Sequence, residues 1–285
     1  MKVLNILEKN FVKIDVLNGV RRVQNIFFEK NTECFAVYEN ERLVGIVTKK
    51  ELIGAHPNRI IADVMSDKYT CVDFNSHIWN VREIFDLNKD IEIIFVKEES
   101  DIIGYITRTI LSIELGKHID LLTGLYKNEY MFYNAYKLIR SNQDATIIFL
   151  DLNNFGYIDK KYGHTNGDTI LKKVADILLD IVPDDSYLCR YAGDEYAILT
   201  PYCIEDSKVL AEIIIDAINS YEFPNNIDVS ASIGIAGCMG HNKRTSNITE
   251  LITKLVNRAS LASTKAKQSL SNSIIVGDVD IDAIA

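Results

Sequence analysis

Arg190-Tyr191-Ala192-Gly193-Asp194-Glu195-Tyr196 sets two adjacent carboxylates beside a small-residue turn. Tyr187-Leu188-Cys189 precedes the heptad and Ala197-Ile198-Leu199 follows it, so the stretch reads as a β-hairpin between apolar runs. Gly193 takes positive φ at no steric cost, whereas Ala192 fits only the turn position that keeps φ negative. Packing does not ask for two acids side by side at such a turn. Paired acids at a strand edge suit a divalent cation that carries a phosphate. On its own, however, the heptad reads as a solvated acidic turn.

The surrounding sequence supplies an α/β frame. Upstream, Ala145-Thr146-Ile147-Ile148-Phe149-Leu150 is an apolar run of strand length that stops at Asp151. A carboxylate there is either a metal ligand or a helix-starting Asp. Phe155 to Tyr162 reads as a short helix, and Gly163 to Asp168 as a glycine-bracketed turn. A long helix follows, with Ile170, Leu171, Val174, Leu178 and Val182 on one face, and Pro183 stops it. Beyond the hairpin come a helix carrying Val209, Leu210, Ile213 and Ile214, then a strand over 229–236. A helix over 248–266 and the closing strand Ser273-Ile274-Ile275-Val276 complete the order. Ahead of all this, Tyr130 to Ile139 is an amphipathic helix. The alternation predicts a mixed sheet covered by helices.

These blocks resemble the GGDEF family. Leu122-Thr123-Gly124-Leu125, Asp151-Leu152-Asn153-Asn154-Phe155, Tyr162-Gly163-His164 with Gly167-Asp168, the hairpin heptad, and Ser232-Ile233-Gly234-Ile235 stand in family order and spacing. The resemblance covers roughly 118–280, within a domain expected over 116–285. It implies a palm-like nucleotidyl-cyclase fold and a homodimer that condenses two GTP molecules into cyclic di-GMP. It also implies that Asp151, Asp194 and Glu195, helped by the Leu152 carbonyl, hold Mg²⁺ or Mn²⁺, with Asp194 and Glu195 catalytic. Asp168 would accept from the guanine edge, Lys267 would meet the triphosphate, and backbone amides around Asn154 and Phe155 would cradle phosphates.

Departures from the family fall on the substrate. The first motif glycine is Ala192 and the motif Phe is Tyr196. The lysine expected after Phe155 is Gly156, and the guanine-contacting asparagine is Asp159, which accepts but cannot donate. Ser260 and Ser271 replace an expected Asp and Arg. Each lost contact to a charged group costs about 1.5–3 kcal/mol. The family's product-inhibition Arg-x-x-Asp is replaced by Pro183 and Ser186, which predicts no feedback binding at that position.

The first half is a repeat. Leu43-Val44-Gly45-Ile46-Val47-Thr48 recurs as Ile102-Ile103-Gly104-Tyr105-Ile106-Thr107. Each copy is preceded by a strand-like run (Cys34 to Tyr38, Ile91 to Val96) and a helical one (Val20 to Phe28, Ile78 to Leu87). The unit reads as helix, strand, turn, strand, helix, used twice. It resembles a tandem CBS pair over about 1–115. That resemblance implies a regulatory cleft for an adenine nucleotide, whose ribose would be gripped by Thr48 and Glu51. Ile110 stands where the second repeat would need the acid. A pair that only dimerises or transmits is the other reading. Residues 109–120 contain no Pro and a single Gly, so a helical linker is expected there.

Composition narrows the partners. With 285 residues, of which 47% are hydrophobic, the chain suffices for two domains with real cores. A formal net charge of −9 argues against nucleic acid as a partner. Five scattered cysteines without a CxxC pair read as buried thiols, and five histidines show no ligand spacing. No apolar run reaches spanning length and Met1-Lys2-Val3-Leu4-Asn5 is not a signal peptide, so a soluble cytoplasmic protein without membrane partners is expected. Three functions stay open: a CBS-regulated diguanylate cyclase, a degenerate nucleotide- or protein-binding module, and a structural dimer.

Overall fold

The computed structural model describes residues 1–239, 247–269 and 272–277. Ser271 lies outside them. The chain forms two compact units, Met1–Lys117 and His118–Ala285.

The first unit repeats one β-α-β-β-α plan. Its elements are β1 (Phe11–Asp15), α1 (Val20–Lys30), β2 (Cys34–Glu39), β3 (Arg42–Thr48) and α2 (Lys49–Gly54), then β4 (Tyr69–Asp73), α3 (Ile78–Leu87), β5 (Ile93–Glu98), β6 (Asp101–Thr107) and α4 (Arg108–Gly116). In each sheet the leading strand pairs parallel with the second, and the second pairs antiparallel with the third. Even the bulge recurs, at Val37/Tyr38 and at Val96/Lys97. The leading strands were not legible in the sequence, because their short runs FVKID and YTCVD bury a single side chain each.

The repeated glycines have a packing cause. A Cβ on Gly45 would strike Met65 Sδ and the Ser66 carbonyl, and one on Gly104 would strike Leu7 and the Glu8 carbonyl. At both places a crossing segment lies on the strand and bonds to it, Ile46 with Ser66 and Tyr105 with Glu8. The two sheets share a core of Cys34, Ala36, Ile46, Ile93, Phe95, Ile102 and Tyr105.

The expected linker helix is shorter than the sequence suggested. α4 ends at Gly116 rather than running on to Asp120. Asp120 is instead the hub of a turn: its Oδ1 accepts from Thr123 N and Thr123 Oγ1, and its carbonyl accepts from Gly124 N. A side chain that bonds its own downstream backbone competes with helix.

The second unit runs β7 (Tyr126–Lys127), α5 (Asn128–Arg140), β8 (Ala145–Leu152), α6 (Phe155–Tyr162), α7 (His164–Ile181), β9 (Tyr187–Ala192), β10 (Glu195–Thr200), α8 (Ile204–Ser220), β11 (Ala231–Cys238), α9 (Ile248–Gln268) and β12 (Ile274–Val276). Six strands form one mixed sheet in the order β12-β11-β8-β10-β9-β7. Strand alternation sorts the residues of β8 into two cores. Ile148, Leu150 and Leu152 join residues of α6, α7 and α8, whereas Ala145, Ile147 and Phe149 join residues of α5 and α9. The domain is therefore three layers, helix on sheet on helix.

The glycine-bracketed turn over 163–168 is not a turn. Gly163, at φ +85°, alone separates α6 from α7, and His164 to Asp168 already form the first turns of α7. One residue of positive φ redirects the chain, so no longer loop is needed.

Candidate active site

Strand parity builds the site. Asp151 lies between Leu150 and Leu152 on β8, so its side chain faces the α5/α9 layer with Phe149. Glu195 precedes Tyr196 on β10, and Tyr196 and Ile198 face the opposite core, so Glu195 shares the face of Asp151. The two acids are also direct cross-strand partners. Like charges in that relation repel. Asp194 sits in the two-residue connection between β9 and β10, after Gly193 at φ +52°. The conformation expected of the hairpin is thus present, including positive φ at Gly193 and its absence at Ala192.

The electrostatic consequence is a crowd of half-buried carboxylates. Burial raises the pKa of Asp194, and Asp151 raises it further, while Lys267 and Arg190 pull it down. Burial likewise raises Glu195, with Asp151 and Asp194 adding to it and Lys267 opposing. Lys267, on the last turn of α9, places Nζ 2.6 Å from Asp151 Oδ1. One ammonium thus offsets part of the field of three acids.

A brace that the sequence did not reveal fixes the hairpin. Arg190 Nε and Nη2 donate to the Gly193 carbonyl at 2.9 and 2.6 Å, and Nη1 donates to Asp120 Oδ1 at 2.8 Å. Both side chains are largely buried, 12% and 23% exposed. Burial alone would raise the pKa of Asp120, but hydrogen bonds from Arg190 and Thr123 outweigh it and the pKa falls. Asp120 precedes the Leu122-Thr123-Gly124-Leu125 block, and nothing local in sequence signals a partner so far along the chain. The hydroxyl of Tyr196, which distinguishes it from the expected Phe, donates to the Leu171 carbonyl of α7 at 2.8 Å.

The loop from β8 to α6 is held from the opposite strand. Asn153 N donates to the Ser230 carbonyl, Asn153 Nδ2 donates to Ser230 Oγ, and Ser232 Oγ donates to Asn153 Oδ1. Leu152 N donates to the Asp194 carbonyl at 3.3 Å, which joins this loop to the hairpin. Asn154 then takes a left-handed conformation (φ 54°) and Phe155 opens α6. The first amides of a helix have no intrahelical acceptor and point outward. At Gly156 a side chain would meet open space.

Other expected residues stand on other elements. Asp168 is exposed on α7. Asp159, on α6, pairs through Oδ2 with His164 Nδ1 at 3.0 Å. Its Oδ1 is buried against Gly167 with no hydrogen-bond partner among the described residues. In the first unit, Thr48 and Glu51 form a capping box at α2: Thr48 N and Oγ1 donate to Glu51 Oε2 at 2.8 and 2.6 Å.

The donor set is all oxygen, which suits a hard divalent cation. Among the described residues no three ligating side chains gather into one metal cluster. Mg²⁺ does not require such a cage, since it commonly takes one or two carboxylates and completes its shell with substrate phosphates and water. The residues present fit that mode.

Comparisons with known proteins agree with this architecture. The family model described as "Diguanylate cyclase, GGDEF domain" matches residues 117–273, and a CBS domain model matches residues 3–58. Diguanylate cyclase DgcS of Shewanella oneidensis is 32% identical over 121 residues, covering 41% of this chain and 41% of that protein. Probable diguanylate cyclase DgcE of Escherichia coli is 33% identical over 84 residues, covering 29% of this chain and 8% of that protein. The chain thus spans less than half the length of these curated relatives. Among solved structures, Pseudomonas aeruginosa diguanylate cyclase SiaD, crystallised with its activator SiaC, superposes with a TM-score of 0.52 at 19% identity, over 70% of this chain and 72% of that one. That likeness is one of fold. No helix among the described residues is long and apolar enough to cross a membrane. The acids paired across β8 and β10, the six-stranded sheet that presents them, and a family match over more than half of the sequence lead to one assignment: the chain belongs to the GGDEF family, with a CBS domain ahead of its GGDEF domain.

Proposed function

We propose that this chain is a signalling enzyme of cyclic di-GMP metabolism, a diguanylate cyclase whose N-terminal CBS pair regulates it. The observation that carries the reading is the in-register pairing of Asp151 with Glu195 at their strand ends, with Asp194 in the adjoining turn. Asp151, Asp194 and Glu195, with the Leu152 carbonyl, form the oxygen set from which Mg²⁺ or Mn²⁺ would draw its one or two carboxylates. When bound, that cation supplies charge neutralisation at the reacting phosphate and favours ionisation of the attacking hydroxyl.

The remaining work falls to the chain's own groups. Amides at the start of α6, around Asn154 and Phe155, receive phosphate oxygens. Lys267 adds a point charge to the triphosphate. Asp168, and Asp159 after it, accept from the donor edge of guanine. Two copies face each other, each with one GTP. The 3′-oxygen of one nucleotide bonds to the α-phosphorus of the other and loses its proton, pyrophosphate leaves, and the reciprocal step closes the ring. A homodimer is therefore part of the proposal.

A second reading, a module that holds nucleotide without turnover, is favoured by Gly156, where no side chain reaches a phosphate, and by Asp159, which is already engaged by His164. Incubation of the purified chain with GTP and Mg²⁺ or Mn²⁺ separates the two. Cyclic di-GMP that disappears in Asp194→Ala supports the cyclase, whereas bound GTP without product selects the module.

Regulation is proposed at the CBS pair. An adenine nucleotide whose ribose is gripped by Thr48 and Glu51 has to compete with the capping box those residues form. Equilibrium binding of AMP or ATP to wild type and to Glu51→Gln tests this, and equal affinities in both would remove Glu51 from the site.

A further inference from the structure

Lys267 is bonded to the wrong partner for a residue that waits for phosphate. Its ammonium lies 2.6 Å from Asp151 Oδ1, at the distance of a charge-assisted hydrogen bond. The pair is partly sheltered, with the Lys267 side chain 32% exposed and that of Asp151 16%. Lys267 reaches it from the end of a 21-residue helix, α9, whose Leu251, Leu255, Val256 and Ala259 are buried against the sheet. The backbone of Lys267 is therefore set by a rigid element, while its four-carbon stem leaves the ammonium able to swing between partners. Within the sheet Asp151 is flanked by Glu195 of β10 on one side and by Ser232 of β11 on the other. Among the described residues Arg190 is a further cation beside this cluster, and it is committed to Gly193 and Asp120.

We propose that Lys267 is the resident counter-ion of Asp151, and that it exchanges its partner when substrate arrives. In the nucleotide-free protein the ammonium occupies the Asp151 carboxylate and so competes with a divalent cation for it. A triphosphate offers Lys267 a stronger anionic partner. Once Lys267 moves to the phosphates, Asp151 becomes free to ligate. Metal and nucleotide thereby enter as one coupled event, and each raises the affinity for the other by the same factor. No bond is made or broken covalently in this exchange. The inference rests on the metal assignment of the proposed cyclase site.

The test is Mn²⁺ binding to the full chain, followed by electron paramagnetic resonance of free Mn²⁺, without nucleotide. Lys267→Met should bind Mn²⁺ roughly five-fold or more tightly than wild type, within the usual span of coupled sites. Lys267→Arg, which keeps the charge, should stay below the roughly five-fold change that marks the smallest couplings. With GTP present the order should reverse, wild type holding Mn²⁺ and GTP better than Lys267→Met. Mn²⁺ affinity in Lys267→Met that is equal to or weaker than wild type, or unmeasurable, overturns the exchange. The Asp151→Asn variant keeps the two ideas apart. If wild type binds Mn²⁺ with GTP and Asp151→Asn does not, the site assignment stands whatever Lys267→Met shows. If Asp151→Asn binds as wild type does, the site assignment itself fails.

Discussion

Asp194 and Glu195 carry an electrostatic cost in the absence of a cation. Their pKa values are raised by burial and by neighbouring acids, so the folded state holds protons more tightly than the unfolded chain. For acids so raised, stability is lost as pH climbs from their ordinary values through the raised ones. Asp194→Asn should therefore stabilise the metal-free protein at pH 7. Solvent screening of this half-buried group limits the gain to about 1 kcal/mol or less. Thermal melts should show the gap closing near pH 4, and an equal or lower melting temperature for Asp194→Asn at pH 7 contradicts the crowding argument. Gly156 is the complementary residue. It lies exposed in the first turn of α6 with open space where a side chain would go. Gly156→Lys should add about 0.5–1 kcal/mol of helix stability. In the proposed substrate site it should also tighten GTP by about ten-fold, the worth of one modest charge-assisted hydrogen bond. Unchanged GTP affinity would detach α6 from the phosphates.

At the scale of elements, the hairpin depends on a brace outside itself. Arg190 ties the Gly193 carbonyl to Asp120, so the turn carrying Asp194 is fixed to the first loop of its own domain. The lowered pKa of Asp120 gives this brace a pH signature. Its contribution is complete above the ordinary carboxylate value near about 3.9 and is lost as pH falls through the lower folded value. Asp120→Asn should thus cost roughly 1–2 kcal/mol at pH 7 and progressively less below pH 4. A difference that stays constant into acid would deny the ion pair its role. The fold was legible because its code is local: alternation in Ala145 to Leu150, helical spacing in Ile170 to Leu178, Gly193 at the turn. The place of Asp151 at its strand end and of two acids at the hairpin was legible as well. The brace was not, because Asp120 and Arg190 meet only through tertiary structure. Nor was the end of α4, because Asp120 bonds its own turn rather than continuing the helix. Lys267 was legible as a cation but not as the partner of Asp151, which only the register of α9 on the sheet decides.

At the scale of the molecule, two compact units divide the labour proposed here, a repeat of β-α-β-β-α units at the N-terminal side and the acidic sheet beyond it. Condensing two nucleotides held by two copies requires association, so specific activity should rise with protein concentration until the dimer is saturated. Concentration-independent activity would remove the homodimer. The most direct measurement is chromatographic detection of cyclic di-GMP after the full chain is incubated with GTP and Mg²⁺ or Mn²⁺, with and without AMP or ATP. Product formed by wild type, altered by the adenine nucleotide and abolished in Asp194→Ala is the expected result. GTP bound but no product under any of these conditions, or product undiminished in Asp194→Ala, would contradict a cyclase centred on Asp151, Asp194 and Glu195.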